Sequence, residues 1–258
     1  MRENTKHIPG KGRIITVRIK RFNSTTKNFE TETYRAKADE LQTVLGALLD
    51  IKAYSDPTLS MRYSCRMGIC GSCGMEVNGK PVLACETNLL SSLDTNGEIE
   101  VQPMHGHPLL KDLVTDFDSF FEKHKSVGAN LYRKDEKEQY EAKRIYKQTS
   151  GQTEKFLPYS FCIMCGLCLD ACPVVNSNPN FVGPQALSQV YRYNADSRDQ
   201  GAANRLVGID SIDGVWGCEF AGSCSKVCPK GVDPASAIQL LKGDAMKGFF
   251  EKGDVDEE

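Results

Sequence analysis

The residues of this chain with the clearest chemistry are its cysteines, 11 among 258 residues. Their number is odd, and the N-terminus lacks the apolar stretch of a secretory signal, so a framework of disulfides is not expected. Clustered reduced thiolates are typical metal ligands, and the spacing within each group indicates which metal group it binds.

The first informative group lies in Phe161–Pro173, whose sequence is FCIMCGLCLDACP. Its four cysteines have the spacing C-x2-C-x2-C-x3-C and are followed directly by a proline. In bacterial ferredoxins, three cysteines of such a run bind one cubane cluster and the fourth binds a different cluster. The run therefore predicts a second cysteine group elsewhere in the chain.

That second group consists of Cys218, Cys224 and Cys228, again followed by a proline. The first run has cysteines at offsets 0, 3, 6 and 10, and the second has them at offsets 0, 6 and 10, with Ala221 at offset 3. A methyl group cannot bind iron. Exchanging the last cysteine of each run predicts two ligand sets: Cys162, Cys165, Cys168 and Cys228 for a 4Fe–4S cluster, and Cys172, Cys218 and Cys224 for a 3Fe–4S cluster. A 4Fe–4S cluster with a non-protein ligand on its fourth iron is the alternative for the second set.

A third group, Cys65, Cys70 and Cys73, has the C-x4-C-x2-C spacing of plant-type 2Fe–2S ferredoxins. Its fourth ligand is predicted to be Cys85, because the Asn78–Gly79 pair is a strong signal for a hairpin turn that returns the chain to the loop. A thioredoxin-like redox pair at Cys70 and Cys73 is an alternative, and the additional cysteines argue against it. For all three groups, a zinc-stabilised binding module is the alternative of another class.

The elements around the third group are predicted from hydrophobic patterns. Strands are expected at Arg13–Phe22, at Phe29–Lys37 and near residues 99–101. Asp39 and Gln42 resemble a capping box that opens a helix. The apolar face of this helix is predicted to contain Leu41, Val44, Leu45, Leu48 and Leu49. Two strands, a helix and a cysteine loop are the beginning of a β-grasp domain.

The chain is predicted to have an α+β fold in three parts. Residues 1–106 form a β-grasp 2Fe–2S ferredoxin domain, and residues 107–155 form a helical and charged connecting segment. Residues 156–258 form an α-helical ferredoxin domain that carries the other two clusters. In this last part, Pro184 and Pro234 are predicted to open helices.

Within the connecting segment, an apolar stripe predicts a helix. The stripe is formed by Leu110, Leu113, Val114, Phe117 and Phe121. The isolated histidines His105, His107 and His124 are predicted at the surface or at helix caps rather than as metal ligands.

Composition gives no sign of nucleic-acid binding or of a membrane-spanning segment. Hydrophobic residues make up 40% and charged residues 26% of the chain, and the formal net charge is −2. These values are ordinary for a soluble protein, and the charge gives no reason to expect a nucleic-acid partner. No apolar run has the length of a transmembrane helix.

The three cysteine groups, in this order, resemble the iron–sulfur subunit of succinate dehydrogenase and fumarate reductase, the respiratory complex II family. The resemblance covers nearly the whole chain and is carried by SCRMGICGSCGMEVNGKPVLAC, CIMCGLCLDACP, NPNFVGPQALSQVYRYNADSRD and CEFAGSCSKVCPKGVDPASAI. It implies an oxidoreductase subunit that relays electrons between the FAD of a flavoprotein partner and a membrane quinone, through 2Fe–2S, 4Fe–4S and 3Fe–4S clusters. Dicarboxylate chemistry is then expected on the flavoprotein, with no catalytic residue on this chain. The same resemblance implies a peripheral position on the cytoplasmic side of the cell membrane, bound through anchor subunits.

The resemblance also implies a quinone near Pro173, Gln239 and Lys242. Ubiquinone-linked members have tryptophans a few residues after the proline, where this chain has Asn176–Ser177, and its single tryptophan is Trp216. This departure weakens a ubiquinone assignment, and the stretch from Trp216 through Gln239 and Lys242 resembles menaquinol-linked fumarate reductases, so menaquinone is favoured. A solvated helix residue is the alternative for Lys242. For the whole chain, the alternative is an iron–sulfur subunit of a soluble fumarate reductase or related flavoprotein oxidoreductase that does not use quinone.

Overall fold

The computed structural model describes residues 3–4, 12–135 and 145–253, with side chains described for residues 12–135 and 145–247. The chain divides into two compact units. Unit 1 contains Met1–Phe117 and Ile163–Ala171, and unit 2 contains Asp118–Cys162 and Cys172–Glu258. A six-stranded sheet lies in unit 1, whereas the described secondary structure of unit 2 is helical. The predicted α+β fold class is confirmed.

The sheet of unit 1 has the strand order β1-β3-β2-β6-β4-β5. Its strands are β1 (Glu3–Asn4), β2 (Arg13–Asn23), β3 (Asn28–Ala38), β4 (Gly74–Val77), β5 (Lys80–Leu83) and β6 (Glu98–Gln102). β2 pairs antiparallel with β3 along its whole length and parallel with β6. β4 and β5 form the hairpin predicted at Asn78–Gly79. The strands predicted at Arg13–Phe22, at Phe29–Lys37 and near residues 99–101 are all present.

The core of unit 1 follows from strand alternation. In β2, Ile15, Val17 and Ile19 are buried, whereas Ile14 is 61% exposed. Successive side chains of a strand point to opposite faces, so the buried residues line the face that the first helix covers. That helix, α1 (Val44–Asp50), continues into a π-helical turn and contributes Val44, Leu45, Ala47 and Leu48 to the core.

The predicted capping box at Asp39 and Gln42 is wrong. Thr43 caps α1: its backbone is extended and its side-chain oxygen accepts a hydrogen bond from the amide of Gly46 at 3.1 Å. Asp39 instead accepts from the amide of Leu41 in a local turn. Because the helix begins after this turn, Leu41 is 89% exposed rather than on the apolar face.

The segment after β6 also differs from the prediction. Short strands β7 (Leu109–Lys111) and β8 (Val114–Thr115) replace the expected helix, and α2 begins only at Asp118 and ends at Ser126. Asp112 has a positive φ of 51°, and its backbone exchanges hydrogen bonds with Phe22 in both directions. This pairing holds the segment in an extended form, because a residue with left-handed φ interrupts a helix.

The histidine prediction is wrong for His107. This residue was expected at the surface or at a helix cap, but it is 3% exposed and stacks on Phe117 with ring centroids 4.5 Å apart. The two compact units meet in the sequence at residues 117–118, 162–163 and 171–172, which are not the predicted limits at residues 106 and 156. The predicted three-part division into domains stays a prediction. Residues 136–144 of the predicted connecting segment lie outside the described residues.

Unit 2 is built around one buried helix, α6. After α2, the helices of unit 2 are α3 (Ser150–Ser160), α5 (Pro173–Ser177), α6 (Pro184–Asn194), α7 (Ala202–Ile209), α8 (Ser223–Lys226) and α9 (Pro234–Gly253). The short helix α4 (Leu167–Asp170), in the first cysteine run, belongs to unit 1. All of residues 184–190 are buried, and α6 packs against α2, α3, α7 and α9. Pro184 and Pro234 open helices as predicted. Within the described residues, no helix combines the length and apolar character needed to cross a membrane.

Candidate iron–sulfur sites

The loop before β4 brings together the cysteines predicted to bind a 2Fe–2S cluster. The amide of Cys65 donates to the sulfur of Cys70 at 3.4 Å, and the amide of Cys70 donates to the sulfur of Cys65 at 3.2 Å. The sulfur of Cys73 interacts with those of Cys70 and Cys85. The β4–β5 hairpin returns Cys85 to the loop, which is the placement that the turn signal predicts.

Backbone amides of the loop are directed at the thiol sulfurs. Three of them, from Met67, Ile69 and Cys70, lie 3.5, 3.3 and 3.2 Å from the sulfur of Cys65. The amide of Gly68, a residue with φ of 69°, donates to the sulfur of Cys85 at 3.2 Å. Amides in these positions stabilise negative charge on sulfur, which is how proteins tune iron–sulfur clusters.

Two of the four thiols, those of Cys70 and Cys73, have opposite electrostatic environments. Hydrogen bonds from Ser72 and from the amide of Cys65 lower the pKa of Cys70 to about 6, whereas burial raises the pKa of Cys73 to about 12. Cysteine binds metals as the thiolate. A buried thiolate therefore requires a cationic partner, and iron supplies one. The donor set, the amides and the burial fit a 2Fe–2S cluster.

Arg21 organises the segment that leads into this loop. Its guanidinium donates to both carboxylate oxygens of Asp112, at 2.9 and 3.1 Å, and also contacts Glu32 and Asp56. Burial acts to raise the pKa of Asp56, but hydrogen bonds from Thr58 and the charge of Arg21 outweigh it and lower that pKa to about 2. This network fixes the chain shortly before Cys65.

In unit 2, the three cysteines without a fourth partner surround one cavity. Cys172, Cys218 and Cys224 line it together with Ala221, around an opening of about 340 Å³ that includes space open to solvent. Burial raises the pKa of Cys224 to about 11, and it also raises the pKa of Cys172. Backbone amides of Val174 and Val175 face the sulfur of Cys172. Three thiols around a space bordered by a methyl group fit a cluster with three protein ligands.

The backbone repeats between the two cysteine runs. In the first run, Met164 and Gly166 have φ of 53° and 79°, and the short helix α4 follows at Leu167. In the second, Phe220 and Gly222 have φ of 57° and 71°, and the short helix α8 follows at Ser223. Both left-handed residues and the helix start fall at the same offsets from the first cysteine. Ala221 thus occupies the backbone position that Cys165 occupies in the first run.

The predicted four-cysteine set is distributed over both units. Cys165 and Cys168 belong to unit 1, whereas Cys162 and Cys228 belong to unit 2. Cys165 precedes the left-handed Gly166 and Cys168 lies within α4. This ligand set stays a prediction.

One group of side chains outside the cysteines also offers metal-binding atoms at short range. Among the described residues, Glu76, His105 and Asp170 provide three ligand atoms within 4.8 Å of one another.

The residues predicted near a quinone lie beside the three-cysteine cavity. Pro173 lines the cavity. On α9, the side-chain amide of Gln239 lies 3.9 Å from the sulfur of Cys218, and Lys242 donates to the carbonyl of Cys218 at 2.8 Å. The ammonium of Lys242 also lies 5.9 Å from the ring centroid of Trp216. Lys242 therefore has protein partners and is not simply a solvated helix residue.

Sequence reasoning missed two clusters of charged residues. Arg21 is a basic residue in an alternating strand, and its partners Asp56 and Asp112 lie far from it in the chain. The other cluster combines Glu76 and Asp170, both buried, with His105. Neither has a local sequence pattern, although the position of Glu76 in a strand with an otherwise apolar sequence (GMEV) is unusual.

Family models match both halves of the chain. A 2Fe-2S iron-sulfur cluster binding domain matches residues 16–122, and a 4Fe-4S dicluster domain matches residues 159–232. Among solved structures, the fold is similar to a chain of the Mycobacterium smegmatis Sdh1 complex in the apo form, with a TM-score of 0.83 and 24% identity. That match covers 93% of this chain and 98% of the other.

Curated relatives carry the family assignment. The chain is 44% identical to the fumarate reductase iron-sulfur subunit of Mycobacterium tuberculosis, over 92% of this chain and 95% of the relative. It is 40% identical to the fumarate reductase iron-sulfur subunit of Haemophilus influenzae, over 92% of this chain and 94% of the relative. The chain therefore belongs to the fumarate reductase and succinate dehydrogenase iron–sulfur subunits, and it is an electron-transport subunit of a complex II-type oxidoreductase.

Proposed function

We propose that this subunit relays electrons between the FAD of a flavoprotein partner and a membrane quinone, through 2Fe–2S, 4Fe–4S and 3Fe–4S clusters. The observation that carries the proposal is the repeated backbone of the two cysteine runs, with Ala221 in the place of Cys165. A chain that keeps the geometry of a cluster loop but lacks one ligand suits a three-iron cluster, the form expected where the relay ends.

The ligand assignment follows the three groups. Cys65, Cys70, Cys73 and Cys85 bind the 2Fe–2S cluster; Cys162, Cys165, Cys168 and Cys228 bind the 4Fe–4S cluster; and Cys172, Cys218 and Cys224 bind the 3Fe–4S cluster. When bound, the clusters supply one-electron redox chemistry. The chain supplies thiolates, excludes water by burial of Cys73 and Cys224, and directs amides at sulfur. Such amides favour the more negative, reduced state and so raise a reduction potential.

The partners follow from the same assignment. A flavoprotein carries the FAD and performs the dicarboxylate reaction, and anchor subunits hold the complex peripherally on the cytoplasmic side of the cell membrane. The quinone, menaquinone by preference, lies near Pro173, Gln239 and Lys242. Their position beside the three-cysteine cavity supports this placement.

The complex purified without oxygen, with its native partners, tests the proposal. We expect a brown protein with an EPR signal from a reduced 2Fe–2S centre and one from an oxidised 3Fe–4S centre. Menaquinol should drive fumarate reduction, or succinate should reduce the quinone. A colourless preparation would refute the cluster assignment. A complex that reduces fumarate from a soluble donor and does not react with quinone would support the soluble fumarate reductase instead.

The replacement Ala221→Cys tests the three-iron assignment directly. Because the backbone at Ala221 matches that at Cys165, the new thiol should bind a fourth iron. The 3Fe–4S signal should then decline, the potential of the centre should fall, and quinone turnover should slow. Ala221→Ser is the size-matched control without a thiol. An unchanged three-iron signal in Ala221→Cys would contradict the assignment.

A further inference from the structure

Three side chains of unit 1 with metal-binding atoms converge away from the cysteines. They are Glu76 on β4, His105 shortly after β6, and Asp170 at the end of α4, and their ligand atoms lie within 4.8 Å of one another. The carboxyl groups are enclosed, since the Glu76 side chain is 2% and the Asp170 side chain 0% exposed. The His105 side chain is 54% exposed. The group is thus buried on its carboxylate side and accessible to solvent on its imidazole side.

Protein donors hold most of the carboxylate oxygens in place. Gln102 donates to one oxygen of Glu76 at 2.5 Å, and the amide of His105 donates to the other at 3.2 Å. The amide of Gly106 donates to Oδ1 of Asp170 at 2.7 Å. Oδ2 of Asp170 is buried and has no donor. A buried acceptor without a donor is costly, so this oxygen needs either a proton shared with the neighbouring Glu76 carboxyl or a bound cation.

The charges of these three side chains also favour a bound cation. The carboxyl groups of Glu76 and Asp170 face each other closely enough to interact, and the charged side chains that act most strongly on Asp170 are Glu76 and His105. When both carboxyl groups are ionised and the imidazole is neutral, the form that binds a metal, the group carries a charge of −2, and a divalent cation neutralises that charge.

The spacing between His105 and Asp170 suits such a cation. Nδ1 of His105 lies 3.4 Å from Oδ1 of Asp170, whereas it contacts Oε1 of Glu76 directly, so those two atoms would have to separate when an ion binds. Two ligands of a tetrahedral zinc with bonds of about 2.0–2.1 Å lie about 3.3 Å apart. We propose that Glu76, His105 and Asp170 bind one divalent first-row transition cation, of which Zn²⁺ is the test case, with water completing its coordination. The ion would connect β4 to α4 within unit 1.

The experiment uses the holoprotein with its clusters intact. After treatment with a chelator that leaves the clusters in place, Zn²⁺ is titrated calorimetrically and the visible absorbance of the clusters is followed. We expect one Zn²⁺ per chain without loss of absorbance. His105→Ala and Glu76→Gln should each weaken binding at least about tenfold, since even partners of a metal ligand contribute ten- to a hundredfold. His124→Ala, a histidine outside the group, should bind as the wild type does.

X-ray absorption at the zinc edge separates this site from zinc in vacant cysteine sites. The expected first shell contains only nitrogen and oxygen, at about 2.0–2.1 Å. Sulfur in the first shell, or binding that His105→Ala and Glu76→Gln leave unchanged, would overturn the proposal. So would the absence of binding to the wild type, which would mean that protons alone neutralise the group. The exposed side chain of His105 keeps the test valid where Glu76→Gln folds poorly. None of these outcomes bears on the electron relay.

Discussion

Replacing Arg21 with methionine should destabilise unit 1 far more than a typical substitution of a charged residue. The guanidinium is 11% exposed and contacts three carboxylates, on Glu32, Asp56 and Asp112, of which Asp112 is the most buried. Methionine has a similar length but no charge, so it would leave the carboxylates in place without their cation.

The expected size follows from that geometry. Removing one partner of a buried ion pair costs about 3–5 kcal/mol, because the remaining charge stays buried. In a chain of this size each kcal/mol lowers the melting temperature by about 2–4 °C, so Arg21→Met should melt about 6–20 °C below the wild type. Arg21→Lys keeps the charge but loses the two-pronged contact with Asp112, and should lie between the two.

The assay is thermal unfolding followed by far-UV circular dichroism, on preparations matched for cluster content and heated at one scan rate. Arg18→Met is the matched control: Arg18 lies on the same strand, its side chain is 48% exposed, and it pairs with Glu98 and Glu100 at 3.8 and 3.5 Å. Such surface pairs contribute about 0–1 kcal/mol. If Arg21→Met melted within the range of Arg18→Met, the network would not stabilise the unit and the reasoning would be refuted.

Two further predictions concern local backbone geometry. Gly71→Ala would place a methyl group 2.9 Å from Cβ and 3.0 Å from Cα of Cys165 at a φ of +73°, so it should lower both the melting temperature and the 2Fe–2S content measured by EPR. Gly79→Ala has a φ of +71° but open space, so it should cost only the conformational strain of about 1–2 kcal/mol and retain the cluster; equal behaviour of the two variants would contradict the steric argument. Thr149→Ala removes the capping box of α3 and should cost about 1 kcal/mol in unfolding experiments, whereas a neutral result would mean that packing alone fixes the helix start.

The sequence predicted the elements whose signals are local. The β4–β5 hairpin follows from Asn78–Gly79, which supplies two residues with positive φ. The long β2–β3 pair follows from alternation, because every second residue is buried from Ile15 to Ile19 in β2 and from Tyr34 to Ala38 in β3. The cysteine groups were recognisable for the same reason: iron–sulfur ligation constrains spacing within a short loop.

Features that depend on distant partners were not predictable. The stripe from Leu110 to Phe121 matches a helical period, but pairing of Asp112 with Phe22 draws its first half into strands. His107 is polar in sequence and buried in the structure, because it stacks on Phe117 and lies 3.4 Å from the carbonyl of Gly166. Tertiary contacts of this kind override local propensity, and a single sequence gives no sign of them.

The two cysteine runs show why spacing and conformation have to be considered together. Left-handed φ is unusual for residues with a side chain, and it persists only where the surroundings require it. Met164 and Phe220 both adopt it, each two residues after the first cysteine of its run and two before a left-handed glycine. The second run therefore adopts the same unusual conformation as the first although Ala221 stands where the first run has Cys165. This shared conformation supports the proposal that the second loop encloses a cluster with three protein ligands rather than four.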